Sequence, residues 1–153
     1  MKTMLGRAIA LLACVSLAAC TTGYGRFRPG TIGGYRDQLI APDTWVITAT
    51  TNNGDHRGKS IAMALYRAAE LSRGTGKEFF QVSGGQNVTN LLSLSYGGAG
   101  GFYEGQDARV TVHAIASRSD AEPCGDPASC PVLSVQETMD RFGPELKIKP
   151  RKH

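Results

Sequence analysis

Histidine and aromatic residues are scarce in this chain: among 153 residues there are three histidines, one tryptophan and 7% aromatics in all. His56, His113 and His153 fall in a turn, a strand and the last position, which is poor material for acid–base catalysis. A hydrolytic set built from His113 with Ser95 or Asp107 has no Gly-x-Ser-x-Gly elbow to support it. No apolar run approaches the length of a permanent membrane span, about 18 residues or more. The glycine-rich run from Gly97 to Gly105 lacks the lysine of a phosphate loop and does not open a helix, so it reads as a hairpin tip. No internal repeat is evident, and no basic stripe interleaved with aromatics suggests nucleic-acid binding. The chain is read as non-enzymatic, and no cofactor or metal is expected.

What is present begins at the N-terminus. Lys2 and Arg7 precede an apolar stretch that runs from Ala8 to Cys20. A basic start followed by a short apolar run has the form of an export signal. Its end, Leu17-Ala18-Ala19-Cys20, resembles the lipobox of bacterial lipoproteins. The resemblance implies cleavage between Ala19 and Cys20, with residues 1–19 removed as a signal peptide. Cys20 would then be the first mature residue, bearing two thioether-linked acyl chains and usually a third in amide linkage. At about 0.8 kcal/mol per buried methylene, two or more chains hold a protein on a membrane where one is marginal. Thr21 in place of aspartate implies, in the Gram-negative sorting pattern, the periplasmic face of the outer membrane.

Removing the leader leaves 134 residues, room for one domain. The net charge of +4 also falls, because Lys2 and Arg7 leave with the leader and fifteen basic residues then face thirteen acidic ones, a net +2. Lys147, Lys149, Arg151 and Lys152 crowd the last seven positions. Residues 147–153 therefore read as a basic tail, either solvated or in contact with anionic headgroups.

Residues 20–42 are rich in Gly, Pro and Tyr, which predicts a lipidated tether and an irregular lead-in that lifts the domain off the bilayer. A single domain is expected over 43–146. Residues 44–51 are dense in β-branched and aromatic side chains, with Trp45, Ile47 and Ala49 on one face of a strand. Asn52 to Asp55 reads as a turn, and Asp55 is placed to cap the next element. Ile61, Ala64, Leu65, Ala68 and Leu71 recur at helical spacing over 58–72, and Gly74 and Gly76 end that helix. Residues 78–83 predict a second strand, joined to the first by a crossover onto the same sheet. Residues 87–96 are one arm of a hairpin, and residues 108–115 form the best-patterned strand, with Val110, Val112 and Ala114 on one face. After a loop over 117–133, Ser134 and Glu137 make the Ser-x-x-Glu pattern that opens a short helix, ended by Gly143-Pro144. The expected fold is α+β: a small mixed or antiparallel sheet with one long helix packed on a face and a short C-terminal helix.

Taken together, the lipobox, Gly33-Gly34-Tyr35, the Trp45-Val46-Ile47 strand, Arg67-Ala68-Ala69-Glu70 at the helix end and Phe79-Phe80-Gln81-Val82 resemble a family of small, uncharacterised proteobacterial lipoproteins. The likeness covers about residues 17 to 83. It implies fold and location, and no activity. The chain departs from the pattern at Lys77, where the family tends to have an aromatic, and in the glycine-rich stretch.

The family motif draws attention to Arg67 and Glu70, three apart on the helix. They read either as a surface ion pair of a few tenths of a kcal/mol, or as a partly buried pair that fixes the helix onto the sheet or onto the loop at Tyr35.

Cys124 and Cys130 flank a Gly/Pro turn in an exported chain, and a disulfide is the natural pairing. Two thiols without nearby histidines leave a tetrahedral zinc site two ligands short, and their spacing is not Cys-x-x-Cys. The leading functional expectation is a membrane-anchored envelope lipoprotein that docks an envelope protein partner through loops or an exposed sheet edge. The alternative is a binding module for a small envelope ligand, with Tyr35, Trp45, Tyr96, Phe102 and Tyr103 lining a cleft. A hydrolase stands third.

Overall fold

The structure, a computed structural model, describes residues 22–31, 33–52, 55, 58–83, 107–124 and 130–148. The leader, Cys20, the arm at 87–96, the glycine-rich run at 97–105 and the tail beyond residue 148 lie outside the described residues.

Five strands and two helices make one α+β unit, in the order β1 (Gly34–Ala41), β2 (Thr44–Thr50), α1 (Lys59–Gly74), β3 (Phe79–Ser83), β4 (Asp107–Ile115), β5 (Val132–Ser134) and α2 (Val135–Glu145). A 3-10 turn, Arg118–Asp120, lies between β4 and β5. The sheet order is β1-β2-β4-β3-β5 and every neighbouring pair is antiparallel. β2 and β3 therefore run the same way with β4 between them, and α1 is the crossover that joins them.

Period-two alternation decides which way each central strand faces. Trp45, Ile47 and Ala49 of β2, Ala108, Val110, Val112 and Ala114 of β4, and Phe80 and Val82 of β3 are all buried under the helix layer. Each Val, Ile or Phe so buried contributes roughly 1.5–3 kcal/mol. Alanines at Ala49, Ala108, Ala64 and Ala68, all fully buried, let α1 lie close on the sheet.

α1 is buried more widely than a single stripe. Ala62, Tyr66 and Ala69 are buried too, because α2 packs on α1. Gly143 sits against Tyr66 there, 3.5 Å from Cε2 to where a Cβ would stand. Phe142 is 2% exposed and Leu146 is buried as well.

Four boundaries differ from the sequence reading. Residues 34–41, placed in the lead-in, form the edge strand β1. Residues 132–134, placed in a loop, form the short β5. α2 runs past Gly143-Pro144 to Glu145, closed by Leu146 N–H to the Phe142 carbonyl at 2.9 Å. Asp55 does not cap α1: the N-cap is Gly58, in a left-handed conformation with no side-chain cap bond.

Between β4 and β5 the described stretches 116–124 and 130–131 are tied to β3, the second by the Val82 N–H donating to the Pro131 carbonyl at 3.0 Å. Gln81, 4% exposed, clamps the Glu122 backbone, donating through Nε2 to its carbonyl and accepting from its N–H, both at 2.8 Å. Cys124 and Cys130 form a disulfide across a sequence separation of six. Closing so short a loop contributes roughly 2 kcal/mol in the chain-entropy model. A Cys124→Ser, Cys130→Ser variant is therefore expected to lose about that much stability in urea titration. An unchanged midpoint would show that the Gln81 clamp and the Val82–Pro131 hydrogen bond hold these stretches without the disulfide.

Candidate functional site

Arg67, Glu70 and Tyr35, three of the residues that the sequence singled out, converge where the N-terminal segment crosses β1 and α1. Even-numbered positions of β1 face away from α1, and Tyr35 and Asp37, opposite the buried Ala49 and Ile47, face toward it. An aspartate directed at a helix needs a cation, and Arg67 supplies it. Arg67 Nε donates to Asp37 Oδ1 at 3.1 Å and Nη1 to Glu70 Oε2 at 3.1 Å, while its guanidinium carbon lies 4.9 Å from the centroid of the Tyr35 ring. The Arg67 side chain is 20% exposed and Asp37 10%. Arg67 thus ties helix, edge strand and lead-in together, and is more than a surface pair with Glu70.

Tyr24 completes the cluster. Its hydroxyl donates to Glu70 Oε2 at 2.6 Å, and its ring packs on Tyr35 and edge-on against Tyr66, at centroid distances of 5.0 and 5.1 Å. Burial, reinforced by the hydrogen bond to the Glu70 carboxylate, pushes the phenol well above its ordinary value, so it stays a donor. Burial alone would lower the Arg67 guanidinium, but the Asp37 and Glu70 carboxylates outweigh it and raise it. Arg26 Nη2 reaches the other Asp37 oxygen at 3.2 Å. Every member of this cluster is paired with another, and the geometry holds parts of the chain together rather than presenting a reactive group.

A second fastening lies at the first described residue. The Thr22 N–H donates to both oxygens of Asp55, at 3.2 and 3.1 Å, and Thr22 Oγ1 accepts the Asn52 N–H at 3.2 Å. Asp55 is also ion-paired with Lys59, and its side chain is 1% exposed. Burial of the carboxylate would raise its pKa, but donation from Lys59, Thr22 and Asn52 prevails and holds it below the usual carboxylate value of 3.8. A depressed folded-state pKa stabilises fully above the unfolded value and ceases to do so as pH falls through the folded one. Asp55→Asn is thus expected to cost about 2 kcal/mol at pH 7, the scale of hydrogen bonds to a buried charge. Its cost should shrink as pH falls well below 3.8. Urea titrations of both proteins at pH 7 and pH 2.5 check this; a cost independent of pH would overturn it.

Between Thr22 and Tyr35 the chain is pinned by backbone as well. Phe27 N–H reaches the Tyr35 carbonyl at 2.8 Å and Tyr35 N–H the Gly25 carbonyl at 2.9 Å. Gly33 and Gly34 make this possible: a Cβ on Gly33 would stand 2.5 Å from the Thr50 carbonyl, and one on Gly34 2.8 Å from the Gly25 carbonyl. A shallow groove remains beside it, lined by Thr22, Tyr24, Arg26 and Thr31.

Of the five residues placed in a ligand cleft, two are described, and neither lines one. Trp45 is 8% exposed in the core, and Tyr35 is covered by Arg67 and Tyr24; Tyr96, Phe102 and Tyr103 lie outside the described residues. His113 and Asp107, six positions apart on the single strand β4, stand roughly 20 Å from one another, and Ser95 is outside the described residues. Among the described residues no three His, Cys, Asp or Glu side chains are grouped to hold a metal ion, and no helix is long and apolar enough to cross a membrane.

One surface stands out by exposure. Among the described residues the outer edge of β1 is paired only at Tyr35, which leaves Gln38–Ala41 uncovered. That stretch carries the two exposed large hydrophobics found among the described residues, Leu39 at 61% and Ile40 at 52%. A bulge between Leu39 and Ala41 leaves Ile40 unpaired with β2. No protein-family model, curated protein or solved structure matches the chain.

Proposed function

We propose that the chain is a non-enzymatic lipoprotein of the bacterial envelope, acylated at Cys20 and held at the periplasmic face of the outer membrane, whose domain docks another envelope protein. The observation that carries the docking surface is the uncovered end of β1, where unpaired strand edge and two exposed aliphatic side chains coincide. Main-chain pairing along Gln38–Ala41 would supply affinity, and pockets for Leu39 and Ile40 would supply selectivity. The anchor itself rests on the Leu17-Ala18-Ala19-Cys20 sequence and the basic, apolar leader before it.

The test places a photocrosslinking residue at Gln38 in intact cells. A discrete adduct is expected in the wild-type background and is expected to vanish in Leu39→Asp, Ile40→Asp, which leaves the core untouched. The same adduct in that variant, or none in either, overturns docking at this edge. Fractionation of Cys20→Ala tests the anchor separately: the variant should move almost entirely from membrane pellet to soluble fraction, and its retention in the pellet would exclude acylation at Cys20.

A further inference from the structure

We infer that the domain lies directly on the bilayer with a fixed orientation, seated on the end formed by the start of β1, the end of β2, the start of β4 and the first turn of α1. The inference rests on the acyl anchor proposed above. It follows from how little chain separates that anchor from the fold. Cys20 precedes Thr22 by two residues, and two residues span at most about 7 Å. Thr22 is no loose end: it is 6% exposed, its N–H is held by both oxygens of Asp55 and its hydroxyl by Asn52. The chain beyond it gains no slack either, being fixed at Tyr24 by Glu70 and at Phe27 by Tyr35.

Strand register shows which part of the domain this fixes. Gly34 is opposite Thr50, and Thr50 opposite Asp107, so Thr22, packed against Gly33 beside Thr50, marks one end of the sheet. Asp43 and the last turn of α1 lie at the other, near Lys77. The nine residues of β4 set those ends roughly 30 Å apart. Charge agrees with this placement. Arg36 and Arg109 flank Thr48 in one cross-strand row, both exposed, which suits anionic headgroups and outnumbers the exposed Asp107 beside them at the start of β4. In this pose the Leu39–Ile40 edge, at the far end of β1, points away from the membrane toward a partner.

The test uses the full acylated protein in vesicles of phosphatidylethanolamine and phosphatidylglycerol carrying a headgroup-attached fluorescence quencher. A fluorophore is placed through Gly23→Cys at the near end, where an added side chain meets nothing within 4 Å, or Arg73→Cys at the far end; Asp107→Cys serves if the first does not fold. Quenching at the near position should exceed that at the far position several-fold. A ten-residue Gly/Ser spacer inserted between Thr21 and Thr22 should bring the ratio close to one. Equal quenching at both positions, in protein that floats with the vesicles, overturns the fixed orientation and leaves the anchor standing. Failure to float, with Cys20→Ala behaving alike, removes the anchor and the inference with it.

Discussion

Arg67→Leu is expected to destabilise the domain by about 2–4 kcal/mol, below the full range for breaking a buried ion pair because the side chain is part exposed. The reason is that one guanidinium serves two carboxylates on different elements. Asp37 belongs to the edge strand and Glu70 to α1, and Arg67 meets each at 3.1 Å. Without it, among the described residues Asp37 keeps only Arg26, whose side chain is 63% exposed, and Glu70 keeps only the Tyr24 hydroxyl. Leucine fills part of the space but leaves two carboxylates with too few donors. Arg67→Lys should recover less than half of the loss, since a single ammonium cannot reproduce the two-directional fork that spans Asp37 and Glu70. Urea titration of the soluble Cys20→Ala form measures each variant, and a double-mutant cycle with Asp37→Asn isolates the pair. Coupling near zero would mean that the cluster is held by the Tyr24, Tyr35 and Tyr66 rings instead.

That cluster also shows how much of the fold is legible from local sequence. β2 and β4 announce themselves because both are central strands with one buried face, so apolar and polar residues alternate. β1 does not, because its inward positions are Tyr35, Asp37 and Leu39: one is charged, and one is exposed beyond the cover of the helix. An edge strand whose inward aspartate depends on an arginine thirty residues away has no local signature. The same applies to Asp55, which sits where a helix cap is expected but receives the N-terminal segment instead. Its partner Thr22 is 33 positions distant. β5 has only three residues, too few for any period to register. α2 outruns Gly143-Pro144 because Leu146 gains burial by one more turn, a tertiary effect. The Gly33-Gly34-Tyr35 and Arg67-to-Glu70 motifs stand in contact through the Tyr35 ring and the Arg67 guanidinium, and nothing local in the sequence shows that they meet.

Gly34→Ala is the substitution that should release the fastened segment, at a cost of roughly 3 kcal/mol or more when backbone strain and two lost hydrogen bonds combine. Gly34 has φ of +142°, a region that side-chain-bearing residues rarely adopt, and an added Cβ would meet the Gly25 carbonyl and Phe27 N at 2.8 Å and Phe27 Cα at 2.9 Å. All three are backbone atoms of the very strip that pairs with Tyr35, so relief requires the strip to move away. The Phe27-to-Tyr35 and Tyr35-to-Gly25 hydrogen bonds go with it. Trypsin should then cut the Arg26–Phe27 bond many-fold faster than in the wild type, while the Phe27 and Tyr35 amides lose protection from hydrogen exchange. Unchanged cleavage would mean that Thr22 and Tyr24 hold the segment without its backbone pairing. Thr22 stays fastened to Asp55 and Asn52, so in the vesicle experiment Gly34→Ala should keep the difference between near and far labels that a spacer before Thr22 abolishes. The fastening that keeps an acylated N-terminus from becoming a tether is then the one at Thr22, and the glycine pair holds the strip that follows it.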